Sequence, residues 1–489
     1  MLIKVIRQVH KILGLVLSVL FLMWFISGIV MIYHSFPRIS PTLKWERQEA
    51  LSPDLPAIDT LLKSLPDSVE LRGISVDMYR ERPVFHLQGK RFVAEVYADS
   101  LQKVESPDFA TIRKIAVRWG GSSAYAVDTL YHLDQWIPFG YLKKEFPIYK
   151  FSFEDTAHQE LYISSKSGRV LQLTDRHSRF WAWLGAIPHW LYFTSLRQNQ
   201  PLWIHFMLWV SGLGALMCFT GLWIGGWAFW KNRKKGFRSP YKKWWLRWHH
   251  ISGTIFGIFA LTFVFSGMMS LVDLPAWMQK GKQKNREIRF RGRGDEMLSM
   301  NKYVLDYRRI VGRLGEVKNI EWSSFGKHPY YVVNTATEKH YIDASDSTRL
   351  SPFRLTEALV KETVQKIHGK EVPYTVTWMT DWDSDYYSRR GRLTLPVYKV
   401  VVGDELHTRH YFNPETLYHR QIDDNSRLRG ILYSGLHRLN FKFLVDRPIV
   451  WNVVMYVLLI GGTFLSLSGV VLMLKWLGRI IRKVVRIQK

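Results

Sequence analysis

Histidine is the residue type whose placement in this chain points to chemistry. His10 opens the apolar run VHKILGLVLSVLFLMWFISGIVM (9–31), and His249 opens WHHISGTIFGIFALTFVFSGMMS (248–270). In each run a glycine stands four residues on (Gly14, Gly253), and a Ser-Gly pair ends 18 residues on (Gly28, Gly267). Eighteen residues make five helical turns, so the imidazole and both glycines share one face. Such a face suits a flat iron porphyrin, with imidazole on the iron and missing side chains leaving room for the ring. Two other readings compete. Small residues also serve plain helix packing, as in Gly221-x-x-x-Gly225 and Gly253-x-x-x-Gly257, and a membrane-edge histidine can sit among headgroups. Recurrence in register favours the ligand reading, because an imidazole inside a span carries a cost.

A second pair, His189 and His437, lies in IPHWLYF and GLHRLNF, about eleven residues before an apolar run. Equivalent residues can meet on a two-fold axis, so the expectation is two bis-histidine haem sites, one at each membrane edge. Neutral imidazole is the ligating form. Bis-histidine ligation leaves no open iron position, which fits electron transfer better than oxygen chemistry. Interfacial aromatics with a companion histidine are the rival account of the outer pair. His250 is the alternate to His249, and His205, opposite Asn452, is an alternate that could replace a proposed ligand or hydrogen-bond to one. Arg7, Lys11, Arg247 and Arg438 are candidate partners for haem propionates. His34, opposite Asp273, reads as surface.

These histidines need membrane helices to hold them. Stretches at roughly 12–33, 201–230, 251–272 and 448–474 run without a charge and are long enough to span a bilayer. The first is too long for a signal peptide and lacks a cleavage site, so it reads as a retained helix. Net charge is +27, and basic residues cluster at 1–11 (three), 231–248 (eight) and 475–489 (six), with no acid in any of the three. The positive-inside rule makes these segments cytoplasmic and both long polar stretches external. The expected organisation is therefore a cytoplasmic start (1–11), helix 12–33, external domain 34–200, helix 201–230 and basic loop 231–248. Then come helix 249–272, external domain 273–447, helix 448–474 and basic tail 475–489. Basic clusters set against membrane helices do not suit nucleic acid. Cys218 is the single cysteine, so disulfides, thiol-bound zinc and iron–sulfur clusters within one chain are excluded.

The duplication extends beyond the helices. An ungapped offset of 248 aligns Asp175, Arg179, His189 and Phe193 with Asp423, Arg427, His437 and Phe441. Both copies start inside, giving a parallel repeat about an axis along the membrane normal. The external domains read as α+β. The first has helices near 56–65 and 111–121, strands at 71–79, 83–88 and 91–98, and a hairpin in LYISSKSGRVLQL. The second has helices 301–314 and 354–368 and strands near 319–343, 394–402 and 408–413. Asp381, Asp383 and Asp385 have the spacing that opens a calcium loop, without the Gly and Glu that complete one. They read as a solvated loop, with docking of a cationic or metal-bearing substrate as the alternative. No nucleotide fingerprint, HExxH or GxSxG is present, so redox chemistry needs an outside electron donor. No span carries an Asp, Glu, Lys or Arg, which disfavours an ion-coupled transporter.

The residues R-x-x-H-K-I-L-G-L…S-G (Arg7 to Gly28) and their copy W-H-H-I-S-G…S-G resemble the bacterial PepSY-associated transmembrane family. So do the SGRVLQ and NPETLYHRQ turns, the blocks ending at His189 and His437, and the closing L-x-L-S-G-V-V-L helix. The likeness covers essentially the whole chain. Some members resemble inner-membrane ferri-siderophore reductases with two b-type haems. That resemblance implies haem ligands at His10, His249, His189 and His437, two PepSY-like periplasmic domains, and a ferric siderophore or other ferric chelate as acceptor. It equally admits a membrane-anchored PepSY binding or regulatory protein for a peptide or peptidase, without redox activity.

Overall fold

The computed structural model describes residues 1–66, 69–235, 239–281, 297–389 and 391–487. Residues 236–238 of the basic loop, 282–296 of the second external segment and 488–489 of the tail lie outside the described residues.

The first copy runs α1 (Leu2–Met31), α2 (Pro41–Arg47), α3 (Ile58–Ser64), β1 (Leu71–Tyr79), β2 (Arg82–Gly89) and β3 (Val93–Tyr97). It continues through α4 (Phe109–Gly120), β4 (Tyr125–Leu130), β5 (Ile148–Phe153), β6 (Glu160–Ser164) and β7 (Val170–Thr174). It closes with α5 (Arg176–Leu184), α6 (Ala186–Trp190), α7 (Thr194–Arg197) and α8 (Gln200–Asn232). The second copy begins with α9 (Trp244–Met269), α10 (Arg308–Leu314), β8 (Asn319–Phe325), β9 (His328–Asn334) and β10 (Lys339–Asp343). Then follow α11 (Glu357–His368), β11 (Tyr374–Met379), β12 (Val397–Val402), β13 (Arg409–Phe412) and β14 (His419–Ile422). α12 (Asp424–Gly430), α13 (Leu436–Arg438), α14 (Lys442–Val445) and α15 (Pro448–Ile487) complete it.

Four helices are long and apolar enough to cross a membrane: Leu2–Met31, Gln200–Asn232, Trp244–Met269 and Pro448–Lys483. α1 packs on α8 and α15, and α9 packs on the same two. Repeat-related α1 and α9 therefore lie across the bundle from each other, as do α8 and α15. Glycines set the spacing where phenyl rings cross. A Cβ at Gly462 would lie 2.2 Å from the Phe25 ring, and one at Gly461 would lie 2.3 Å from the Phe256 ring.

Outside the bundle the strands form three antiparallel sheets. β4-β5-β6-β7 and β11-β12-β13-β14 belong to one copy each. The third has the order β10-β9-β8-β1-β2-β3 and takes three strands from each copy. The two external segments are thus joined rather than separate: β1 pairs with β8 from Ile74↔Trp322 to Asp77↔Asn319, over a core that includes Ile74, Phe85, Tyr307 and Trp322. Pattern reading missed β4, β5, β11 and β14, and of the expected helix 301–314 only Arg308–Leu314 is α-helical.

The two copies also differ by an inserted residue in β7. β6 pairs Tyr162 with Gln172 and then Ile163 with Val170, leaving Leu171 as a bulge residue. β13 pairs with β14 without a break. From β4 to Val170 equivalent residues therefore differ by 249, and from Gln172 onward by 248, so a single ungapped offset misaligns the β6 strand. The corrected register exposes a shared hydrogen-bonded unit. Asp134 accepts from Tyr162 and Lys150 at 2.9 and 3.3 Å, and Asp383 accepts from Tyr411 and Lys399 at 2.9 and 2.7 Å.

Asp383 and Asp385 consequently do not form a solvated loop. Asp385 is buried and accepts from Arg427 Nε at 3.0 Å and Nη2 at 2.9 Å, and also from Arg409. Removing this carboxylate leaves two guanidiniums facing each other, but both are 29% exposed, so water makes up part of the loss. Asp385→Ala is expected to destabilise the second external unit by about 2 kcal/mol, below the range for fully buried pairs. Thermal unfolding of the full chain checks this; an unchanged transition contradicts it.

Candidate functional site: two facing histidine pairs

The four histidines meet in two pairs. The His10 and His249 ring centroids are 6.2 Å apart, and those of His189 and His437 are 6.1 Å apart. A metal–imidazole bond is about 2 Å and a ring nitrogen sits about 1.2 Å from its centroid, so a linear N–metal–N unit spans about 6 Å between centroids. All four rings are half-buried.

Each ring is held by a hydroxyl from a neighbouring helix. Nδ1 of His249 is 2.8 Å from Ser468 Oγ, Nδ1 of His189 is 3.1 Å from Ser27 Oγ, and Nδ1 of His437 is 3.3 Å from Ser266 Oγ. Nδ1 of His10 is 3.4 Å from Thr220 Oγ1 and 2.9 Å from the Met217 carbonyl. The Phe263 carbonyl is likewise 2.9 Å from His437 Nδ1. The hydroxyl protons are already committed: Ser27, Thr220, Ser266 and Ser468 donate to Trp24, Met217, Phe263 and Leu465 carbonyls of their own helices. These oxygens can therefore only accept from the imidazoles. That fixes the proton on Nδ1 and leaves Nε2 with its lone pair, the tautomer a metal bound at Nε2 requires. Among the described residues no hydrogen bond involves Nε2 of these four.

The glycine after each hydroxyl residue makes room for the same ring. A Cβ on Gly221 would lie 2.7 Å from His10, one on Gly267 3.3 Å from His437, one on Gly469 3.6 Å from His249, and one on Gly28 3.7 Å from His189. This corrects the one-face expectation. Gly28 and Gly267 do not lie beside a ring bound at His10 and His249; they seat the histidines of the other pair. Gly14 and Gly253, one turn from the inner histidines, do line the inner cavity.

Local backbone structure presents the outer pair. Asp175 and Asp423 form capping boxes with Ser178 and Ser426 that start α5 and α12. Two residues beyond each histidine, Leu191 and Leu439 take left-handed backbone angles (φ 51 and 49) that end the short helix. Leucine enters that region at a cost of about 1 kcal/mol, so the turn is held by its surroundings. In both copies a tryptophan of the next span caps it. Trp203 Nε1 donates to the Trp190 carbonyl at 2.8 Å, and Trp451 Nε1 donates to the Leu439 carbonyl at 3.1 Å.

The inner pair borders a cavity of about 1220 Å³ among the four long helices. Lys11, Lys243, Lys475, Arg479 and Arg482 line it, and among the described residues no Asp or Glu does. A large apolar body bearing carboxylates matches that lining, and the volume exceeds the ordinary range of about 300–1,000 Å³ for small-ligand sites. Of the proposed propionate partners only Lys11 is there; Lys243 of the basic loop and Lys475, Arg479 and Arg482 of the basic tail join it once the helices pack. Arg7 and Arg247 are exposed, and Arg438 donates to Tyr433 at the other end.

The alternates fall away on contacts. His250 is buried with both nitrogens engaged, Nδ1 with Ser239 Oγ at 3.0 Å and Nε2 with the Gly225 carbonyl at 3.2 Å. His205 is exposed on α8. In the register set by Trp203 and Trp451 it matches the exposed Val453, not Asn452. His34 is not simple surface: it is half-buried and stacks on Trp181 at 4.3 Å, where the other copy places an Asp273–Arg429 ion pair.

Bundle, sheets and duplicated histidine pairs describe a multi-pass membrane protein with α+β domains. The PepSY-associated TM region family matches residues 7–479, and the chain belongs to that family. Neither a curated protein nor a solved structure matches it.

Proposed function

We propose that this chain is a transmembrane oxidoreductase that holds two haems b, at His10/His249 and His189/His437, and passes electrons from a cytoplasmic or membrane donor to an external ferric chelate such as a siderophore. Bis-histidine haem iron exchanges single electrons without needing an open coordination position. The carrying observation is that all four imidazoles are held by Nδ1 and face each other in pairs at the spacing of two axial ligands.

The residues act by binding and orienting. Ser27, Thr220, Ser266 and Ser468 keep Nε2 unprotonated and fix each ring plane. The lysines and arginines of the inner cavity neutralise carboxylates. His10 and Ser27 are 17 residues apart on α1, so the two pairs are separated by about 25 Å along the bundle. That is close to the bilayer's apolar thickness of about 30 Å, so each pair serves one membrane face. The basic clusters orient the inner pair towards the cytoplasm of a bacterial inner membrane, with both sheet-bearing segments in the periplasm.

A visible spectrum of detergent-purified protein from haem-replete cells tests this reading. Reduction with dithionite is expected to shift the Soret band and raise low-spin α and β bands. A colourless preparation overturns the proposal and leaves a PepSY binding or regulatory protein for a peptide or peptidase.

A further inference from the structure

A chain of three histidines, none of them a haem-ligand candidate, lies in the second external unit. His368 Nε2 is 2.8 Å from His410 Nε2, and His410 Nδ1 is 2.9 Å from His419 Nε2. Asp404 Oδ2 stands 3.8 Å from His368 Nδ1 and favours a proton there. His368 Nε2 then accepts from His410, and His410 Nδ1 accepts from His419, so three neutral rings satisfy both contacts. His410 is fully buried, and its ring and that of His419 stack on Phe412. Phe412 belongs to the core that joins α11 and β12–β13 to Phe325 and Tyr330 of the shared sheet.

The first copy shows that the fold does not require this chain. Leu161 pairs with Phe151 where His410 pairs with Val400, and Val170 pairs with Ile163 where His419 pairs with Phe412. At the helix end Gly120 stands for His368. A Cβ there would lie 2.1 Å from the Phe153 ring, which fills the space left open by Val402 in the second copy. Asp155 matches Asp404, and each accepts from the backbone N–H four residues on. One copy thus packs hydrocarbon where the other buries three imidazoles.

We propose that the His368–His410–His419 chain is an acid-responsive latch, holding α11 to β13 and β14 while neutral and releasing it on taking up a proton. A proton on the lone pair at either contact sets two N–H groups face to face and breaks that link. The titratable groups acting on the three are one another and Asp404, on the β12–β13 turn. Burial, reinforced by His368, pushes His410 down to about 3 despite Asp404. Burial and His410 also push His419 well down. The sign follows: a histidine kept neutral in the fold contributes stability above its ordinary value of 6.5 and loses it as the pH falls.

Hydrogen exchange on the full chain, corrected for intrinsic rates, has a control in the same molecule. Between pH 7.5 and 5.0, protection of α11, β13 and β14 is expected to fall at least tenfold relative to α4, β6 and β7. A parallel change in both copies, or none, overturns the latch. His410→Leu, the first copy's residue, is expected to abolish the difference. A difference that persists in this variant also overturns it.

Discussion

His189→Ala protein is expected to retain about half the haem of the unsubstituted chain and to lose electron delivery to an external ferric chelate. The outer pair has one imidazole from each copy, with ring centroids 6.1 Å apart. The neighbouring candidate His205 is exposed on α8. On the proposed ligand set, loss of His189 is therefore expected to empty the outer site and to leave His10 and His249, about 25 Å away along the bundle, untouched. Changes one shell out from a metal cost about 10–100-fold, so removing a ligand itself is expected to lower transfer by about 100-fold or more. Haem per chain, measured as the pyridine haemochrome, and chelate reduction by proteoliposomes loaded with reductant are the two readouts. His437→Ala is expected to give the same half-occupancy, and the double variant no further loss. Unchanged haem in either single variant would remove these residues from the ligand set.

The second large effect comes from a methyl group. Gly221→Ala is expected to displace His10 without removing it and to empty the inner site. The added Cβ would sit 2.7 Å from the His10 ring, well inside van der Waals contact, on a helix with no freedom to retreat between α1 and α9. Relieving that overlap costs about 1–3 kcal/mol, or swings the ring away from Thr220 and Met217 and from its facing partner. The other three glycines grade the prediction. Gly267→Ala, at 3.3 Å from His437, is expected to weaken the outer site. Gly469→Ala and Gly28→Ala, at 3.6 and 3.7 Å, meet ordinary contact and are expected to keep full haem content. Haem content across the four variants that failed to follow this order would show that the glycines serve helix packing rather than histidine placement.

Much of this protein is legible along the chain. Four uncharged runs fix four helices, because a bilayer core admits little else. The duplication brings His10 and His249 together, and likewise His189 and His437, since equivalent residues of a two-fold repeat can meet on its axis. The pairing of each histidine with its seat is not legible. Ser27-Gly28 lies on the same helix as His10 yet serves His189, and Thr220-Gly221 serves His10. Helical periodicity reports which residues share a face, not which face of another helix they meet. The cationic lining of the inner cavity escaped for the same reason, since Lys11, Lys243 and Arg479 converge only once α1, α9 and α15 are packed.

The external segments divide similarly. Alternation locates β1, β2 and β8, but the joining of β1 to β8 across the two copies depends on edge strands finding each other in space. The change of offset at Leu171 is a bulge, visible only as a break in strand register. Asp385 reads as a loop carboxylate until Arg409 and Arg427 close on it. Sequence by itself determined the span count, the repeat and the four imidazoles, because these rest on local hydrophobicity and on duplication. Tertiary structure alone decided tautomer, seat and facing distance, because hydrogen bonds and close contacts between distant segments set all three.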